Sequence, residues 1–221
     1  MTFDAVVFDL DNTLCRRTGD VDAAYRRAFD RVGADPFGEP EELWAALDGP
    51  PDPGDRAGYL GAGFARVAAR HGRSDVDPVA VAAALLDEID NTEVELLPGA
   101  ERALDAARAL GPVGILTNGP ERRQRTKIRA LGLEPTVDAI VYAGDLSRRK
   151  PHVDPFEAIL TDLGVAADRT LYVGDSLAYD VAGAHNAGLR AAWLRGDDDP
   201  GAYDPEYVLD SMTGLVDVLA E

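Results

Sequence analysis

The sequence predicts an α/β protein built on a parallel sheet, with a small all-helical domain inserted after the first strand. Three observations carry this. Residues 5–8 are an unbroken apolar run that ends in acid at Asp9 and Asp11, as expected of a strand buried on both faces whose tip opens onto a ligand site. Between residues 18 and 92 apolar side chains recur at helical spacing and no strand pattern is found. From residue 99 onward helix and strand patterns alternate, which describes a doubly wound, Rossmann-like sheet with helices on its faces. The expected domains are an α/β core, residues 1–17 and 93–221, and a helical insertion, residues 18–92.

Each element has its own signal. After the first strand, Val21, Ala24, Tyr25, Ala28, Phe29 and Val32 mark an amphipathic helix that Pro36, Gly38 and Pro40 end. Pro50, Pro51, Pro53 and Gly54 predict a loop. A second stripe, Leu60, Phe64, Val67 and Ala68, stops at Gly72, and a third, running from Val79 to Ile89, is opened by Asp77 and Pro78. Leu97, Pro98 and Gly99 return the chain to the core. There, residues 100–110, 121–131, 155–163 and 179–187 read as helices, and residues 113–116, 139–142, 171–173 and 190–194 as strands, the last closing the sheet. Residues 197–203 are acidic and turn-rich, and residues 209–219 are expected to dock as a final helix.

Composition narrows the function. Forty acids against 22 bases give a net charge of −18, which disfavours nucleic acid as a partner. No segment reaches the roughly 18–20 apolar residues of a membrane span, and no charged-then-apolar leader opens the chain, so the expected location is the cytoplasm. The acids are mostly aspartate, and Lys127 and Lys150 are the only lysines. This surface suits a salt-rich cytoplasm, where screening relieves self-repulsion. Cys15 is the single cysteine and reads as a packing residue, with no histidine nearby in sequence to activate it. The sequence assigns no oligomeric state.

Asp9 and Asp11 stand close enough to repel, so unless one is protonated a cation must offset them; oxygen ligands suit Mg²⁺, which also accepts substrate phosphate. Right-handed connections bring further polar residues to the same sheet edge: Thr13, Thr117, Asn118, Lys150, Asp175, Ser176 and Asp180. Together they describe a phosphate site with its metal. Hydroxyl and amide groups can bond phosphoryl oxygens, and one lysine can neutralise charge. Taken alone, Thr117-Asn118-Gly119 also fits a strand-ending turn, and Asp180 also fits a helix cap.

The segments 8–14 (FDLDNTL), Leu116-Thr117-Asn118-Gly119, Lys150-Pro151 and Gly174-Asp175-Ser176 with Asp180 resemble, in order, the four motifs of the haloacid dehalogenase superfamily. The resemblance implies that residues 18–92 are a mobile cap. It further implies Asp9 as nucleophile, forming an aspartyl-phosphate, and Asp11 as general acid and then base. Acidic neighbours are expected to raise the Asp11 pKa. The implied Mg²⁺ ligands are the Asp9 side chain, the Asp11 main-chain carbonyl and Asp175, with Thr117, Asn118 and Lys150 on the phosphate. Thr13, Ser176 and Asp180 are implied to support them, Asp180 by orienting a ligand water or Lys150.

The implied activity is Mg²⁺-dependent hydrolysis of a small phosphorylated metabolite. Asp11 argues against the dehalogenases, which lack this second acid, and the absence of lysine from residues 18–92 argues against the Schiff-base phosphonate branch. Phosphosugar mutases remain the alternative within the superfamily, and a receiver-like phospho-acceptor the alternative outside it. His152 stands where relatives often carry aspartate.

Overall fold

The computed structural model describes residues 3–48, 55–196 and 199–220. The chain divides into two compact units, Met1–Arg17 with Asn91–Glu221, and Thr18–Asp90.

In the first unit the strands are β1 (Ala5–Phe8), β2 (Cys15–Arg17), β3 (Val94–Leu96), β4 (Val113–Thr117), β5 (Ala139–Tyr142), β6 (Thr170–Gly174), β7 (Arg190–Leu194) and β8 (Tyr207–Leu209). Six of them form a sheet of order β5-β4-β1-β6-β7-β8, in which every pairing is parallel. Strand β1 lies between β4 and β6, with Phe8 in register with Ile115 on one side and Val173 on the other. Its side chains alternate between two apolar layers. Val6 and Phe8 join the core that includes Leu104 and Ile128, and Val7 joins the one that includes Phe156, Ile159, Tyr172 and Trp193. Both faces are thus covered, which is why the strand is a continuous apolar run rather than an alternating one.

The second unit holds four helices among its described residues, α1 (Val21–Val32), α2 (Pro40–Ala46), α3 (Arg56–Arg70) and α4 (Pro78–Glu88), packed around Tyr25, Phe29, Phe37 and Phe64. Asp20, Asp55 and Asp77 cap α1, α3 and α4 with their side chains, each satisfying amide donors that a first turn leaves unpaired. The first unit adds α5 (Ala100–Leu110), α6 (Glu121–Ala130), α7 (Val153–Leu163), α8 (Ala182–Asn186) and α9 (Gly214–Leu219). No helix among the described residues is long and apolar enough to cross a membrane.

The structure corrects several sequence expectations. Pro40 does not merely end a run: it opens α2 from the first helical turn, where its missing N–H is not needed. Strand β7 does not close the sheet, because β8 pairs beyond it, and the final helix is shorter than expected, beginning at Gly214. Helix α8 is preceded by a π-helical turn at Leu177–Val181. Strands β2 and β3, an antiparallel pair of three residues each, escaped notice because so short a segment completes no period. The predicted loop at Pro50, Pro51, Pro53 and Gly54 lies outside the described residues.

Candidate active site

The carboxyl ends of β1, β4 and β6, with the loop before α7, bring the sequence-predicted residues together. Asp9 leaves the tip of β1, and its main-chain N–H donates to Val173 O at 2.9 Å. The chain then turns back, Asn12 adopting φ 62°, a left-handed conformation that asparagine tolerates better than most residues. Asn12 N–H donates to Cys15 O at 2.7 Å, and Cys15 N–H to Leu10 O at 3.0 Å. This tight turn presents Asp9, Asp11 and Thr13 to one region.

Lys150 is the hub. Its ammonium, 2% exposed, lies 2.7 Å from Asp9 Oδ1 and 2.6 Å from Asp180 Oδ1, with Tyr172 Oη at 2.8 Å and Leu116 O at 3.1 Å. Burial opposes its charge, but the Asp180 and Asp9 carboxylates outweigh burial and hold its pKa above the usual lysine value. Lys150 is therefore a permanent cation. Its main chain is bracketed by Asn118, whose Oδ1 accepts Lys150 N–H at 2.9 Å and whose Nδ2 donates to Lys150 O at 3.2 Å. The Asn118 side chain thus spends both ends on placing the lysine.

Asp180 Oδ1 faces Lys150 and also accepts from Tyr172 Oη at 3.1 Å, while Oδ2 accepts Ser176 N–H at 3.0 Å. Ser176 Oγ in turn caps the following turn, accepting Tyr179 N–H at 3.2 Å. Thr13, fully buried, donates to Asp175 Oδ1 at 3.4 Å. The Trp193 indole N–H fixes the same residue by donating to Asp175 O at 2.8 Å.

Oxygens of Asp9, Asp175 and Asp180 lie within 4.8 Å of one another, and the Lys150 ammonium contacts two of the three carboxyl groups, Asp9 and Asp180. Burial, then the charge of Asp180, pushes Asp175 up to about 6. Burial likewise raises Asp9, with Asp180 and Asp175 adding to it and Lys150 opposing. Such a hard-oxygen cluster with uncompensated charge fits a divalent cation such as Mg²⁺. Asp180 has both oxygens engaged, so Asp9 and Asp175 are the better ligands of the three.

Asp11 differs from expectation. Its Oδ1 pairs with the Lys127 ammonium and its Oδ2 accepts from Gln124 Nε2 at 2.7 Å. Burial raises its pKa, but Lys127 and the two donated hydrogen bonds outweigh burial and hold it below the usual carboxylate value. The expected upward shift is therefore overturned, because α6 supplies positive charge where only acidic neighbours were anticipated. Gln124 Nε2 also donates to Thr117 Oγ1 at 2.7 Å, and Gly119 N–H reaches the same oxygen at 3.3 Å. With two N–H groups on its oxygen, the Thr117 hydroxyl is left to donate its own hydrogen.

Sequence reasoning missed Gln124, Lys127, Tyr172 and Trp193. The signal for the first two lay in the helix 121–131: Gln124 and Lys127 are three residues apart and share a face, and lysine is otherwise almost absent. Tyr172 and Trp193 sit inside apolar strands and read only as core. Cys15 is buried, and burial pushes its thiol up to about 12, as suits a packing residue. His152 forms the N-cap of α7, its ring accepting Asp154 N–H at 3.3 Å.

A sequence profile of the haloacid dehalogenase-like hydrolases matches residues 3–188. The phosphoglycolate phosphatase of Rhodospirillum rubrum is 34% identical over 195 residues, covering 84% of this chain and 76% of that protein. Pyrophosphatase PpaX of Halalkalibacterium halodurans is 32% identical over 111 residues, 48% of this chain and 51% of its own, so the match spans about half the length of that relative. Among solved structures, the hydrolase YfnB of Bacillus subtilis, bound to magnesium, superposes with a TM-score of 0.74 at 22% identity and covers 100% of both chains.

Proposed function

The chain belongs to the haloacid dehalogenase-like hydrolase family; from that premise we propose that it is a phosphatase that hydrolyses small phosphomonoesters with Mg²⁺, through an aspartyl-phosphate on Asp9. The observation that carries this reading is the buried Lys150 ammonium, 2.7 Å from Asp9 and 2.6 Å from Asp180 at the carboxyl edge of the sheet. A cation so placed keeps Asp9 oriented and neutralises phosphoryl charge as it arrives.

The chemistry runs in two displacements. An Asp9 carboxylate oxygen attacks phosphorus, and the bond from phosphorus to the leaving oxygen breaks as that oxygen takes a proton from Asp11, which Lys127 and Gln124 hold ionised in the free site and which takes up that proton from solvent as the phosphoryl charge arrives. A water then attacks phosphorus and gives its proton to Asp11, the bond to Asp9 breaks, and inorganic phosphate leaves. Splitting the reaction replaces one difficult displacement with two easier ones. Thr117 donates its free hydroxyl hydrogen to a phosphoryl oxygen, with the main-chain amide of Asn118 beside it, and Asn118 holds Lys150 in reach. Asp9, Asp175 and the Asp11 main-chain carbonyl would hold Mg²⁺, which would supply charge to offset the phosphoryl oxygens. Thr13, Ser176 and Asp180 keep Asp175 and Lys150 in place.

The helical unit is the family's cap and the source of substrate selection in this reading, and the cytoplasm is the proposed location. The names of the relatives place phosphoglycolate and pyrophosphate early in a substrate screen. The deciding experiment measures p-nitrophenyl phosphate turnover with Mg²⁺. Multiple turnovers that vanish in Asp9→Asn, with the melting temperature retained, support the reading; retained turnover in that variant removes Asp9 as nucleophile.

A further inference from the structure

The chain carries 20 arginines and only two lysines, Lys127 and Lys150. Both lysines are buried, each 2% exposed as a side chain, and each faces one aspartate of the first motif: Lys150 faces Asp9, and Lys127 faces Asp11. A compact ammonium on a flexible stem fits a narrow buried slot that a planar guanidinium would not. In a chain that otherwise uses arginine, both lysines stand where charge must be delivered at a point.

Lys127 does not act alone. Gln124, fully buried one turn earlier on α6, places its amide nitrogen 2.7 Å from Asp11 Oδ2 and 2.7 Å from Thr117 Oγ1. Each amide hydrogen thus has an acceptor, which fixes the side chain about its own axis. Gln124 Oε1 is buried without a protein partner among the described residues, and an orphaned polar atom costs roughly 1–3 kcal/mol. Gly119 makes the room: a Cβ there would stand 2.5 Å from Gln124 Cγ and Cδ. The two oxygens of Asp11 are therefore held separately, Oδ1 by the ammonium and Oδ2 by an amide tied to the phosphate-facing hydroxyl.

We infer that Lys127 and Gln124 are positioning residues for the acid–base carboxylate: the pair on α6 sets where Asp11 stands relative to the leaving oxygen, and Gln124 ties that position to Thr117. The inference rests on the phosphatase reading above. It requires that the loss of either residue be felt most where proton delivery matters most.

The test compares kcat/KM for two substrates in wild type, Lys127→Met and Gln124→Leu. One is p-nitrophenyl phosphate, whose departing oxygen needs little protonation; the other is glycerol 2-phosphate, whose aliphatic oxygen needs it fully. A positioning role predicts a loss with glycerol 2-phosphate at least about tenfold larger than with p-nitrophenyl phosphate, within the roughly 10²- to 10⁴-fold weight of general acid catalysis. It also predicts that either substitution adds almost nothing in an Asp11→Asn background, because groups acting as a unit are not additive. Equal losses on both substrates, or a full further loss in the Asp11→Asn background, overturn the inference. Should Lys127→Met fail to fold, Gln124→Leu carries the same comparison with all charges kept. A wild type inactive on both substrates is a separate outcome: it removes the phosphatase reading itself.

Discussion

Asp180 packs against Gly174 so closely that a Cβ on residue 174 would stand 2.4 Å from the Asp180 carboxyl carbon. The glycine that ends β6 is thus required by its neighbour. Gly174→Ala must displace a carboxylate that holds Lys150 at 2.6 Å and Ser176 N–H at 3.0 Å. The expected cost is about 1–3 kcal/mol, the usual range for overpacking, with a fall in kcat because Lys150 loses one of its two carboxylate partners. Thermal melting and steady-state kinetics check both; an unchanged kcat would show that Asp180 can move without disturbing Lys150.

Lys150→Met leaves the buried Asp9 and Asp180 side chains without their ammonium. Breaking a buried pair from one side costs roughly 3–5 kcal/mol. Adding Asp180→Asn removes one of the stranded charges and should return part of that loss, a coupling of about 0.5–3 kcal/mol. Urea denaturation of the two single variants and the double variant measures it. Strictly additive losses would mean that Lys150 and Asp180 stabilise the protein independently.

The net charge of −18 predicts that stability grows with salt. The screening length falls from about 10 Å at 0.1 M to about 3 Å at 1 M, so repulsion among the many aspartates should fade over that range. Melting temperatures in potassium chloride should rise through it, and a flat curve would show that self-repulsion does not limit stability.

The sheet and the gathering of Asp9, Thr117 and Asp175 at its edge are legible because β1, β4 and β6 are short apolar runs that end in polar residues, and Lys150 follows in the loop before α7. The alternation of helix and strand fixes which end of each strand points the same way. What stayed hidden depends on angle rather than order. Helix 121–131 is visible as a helix, but its facing toward the site is not, so the acidic motif alone points to a raised Asp11 pKa where Lys127 and Gln124 outweigh burial and lower it. Tyr172 is invisible for the same reason: inside β6 its ring is core, while its hydroxyl reaches Lys150. The three-residue strands β2, β3 and β8 are held by their pairing, which a local pattern does not record.

Metal and pH should act on stability in opposite directions. In the folded protein without metal, burial and then Asp180 push Asp175 up to about 6, and burial raises Asp9 as well, whereas both return to the ordinary 3.8 on unfolding. Between those values the folded state binds more protons than the unfolded one, so the unfolding free energy falls as pH rises. The contribution is fully present below 3.8 and is lost as pH climbs through about 6 and beyond. Mg²⁺ needs ionised carboxylates and competes with those protons, so the stability it adds should grow with pH. With a chelator present, wild type should lose melting temperature relative to Asp175→Asn between about pH 5 and about pH 8. The gain from added Mg²⁺ should be larger at the upper pH and nearly absent in Asp175→Asn. An equal gain at both pH values, or a full gain in that variant, would place the cation somewhere other than on Asp9 and Asp175.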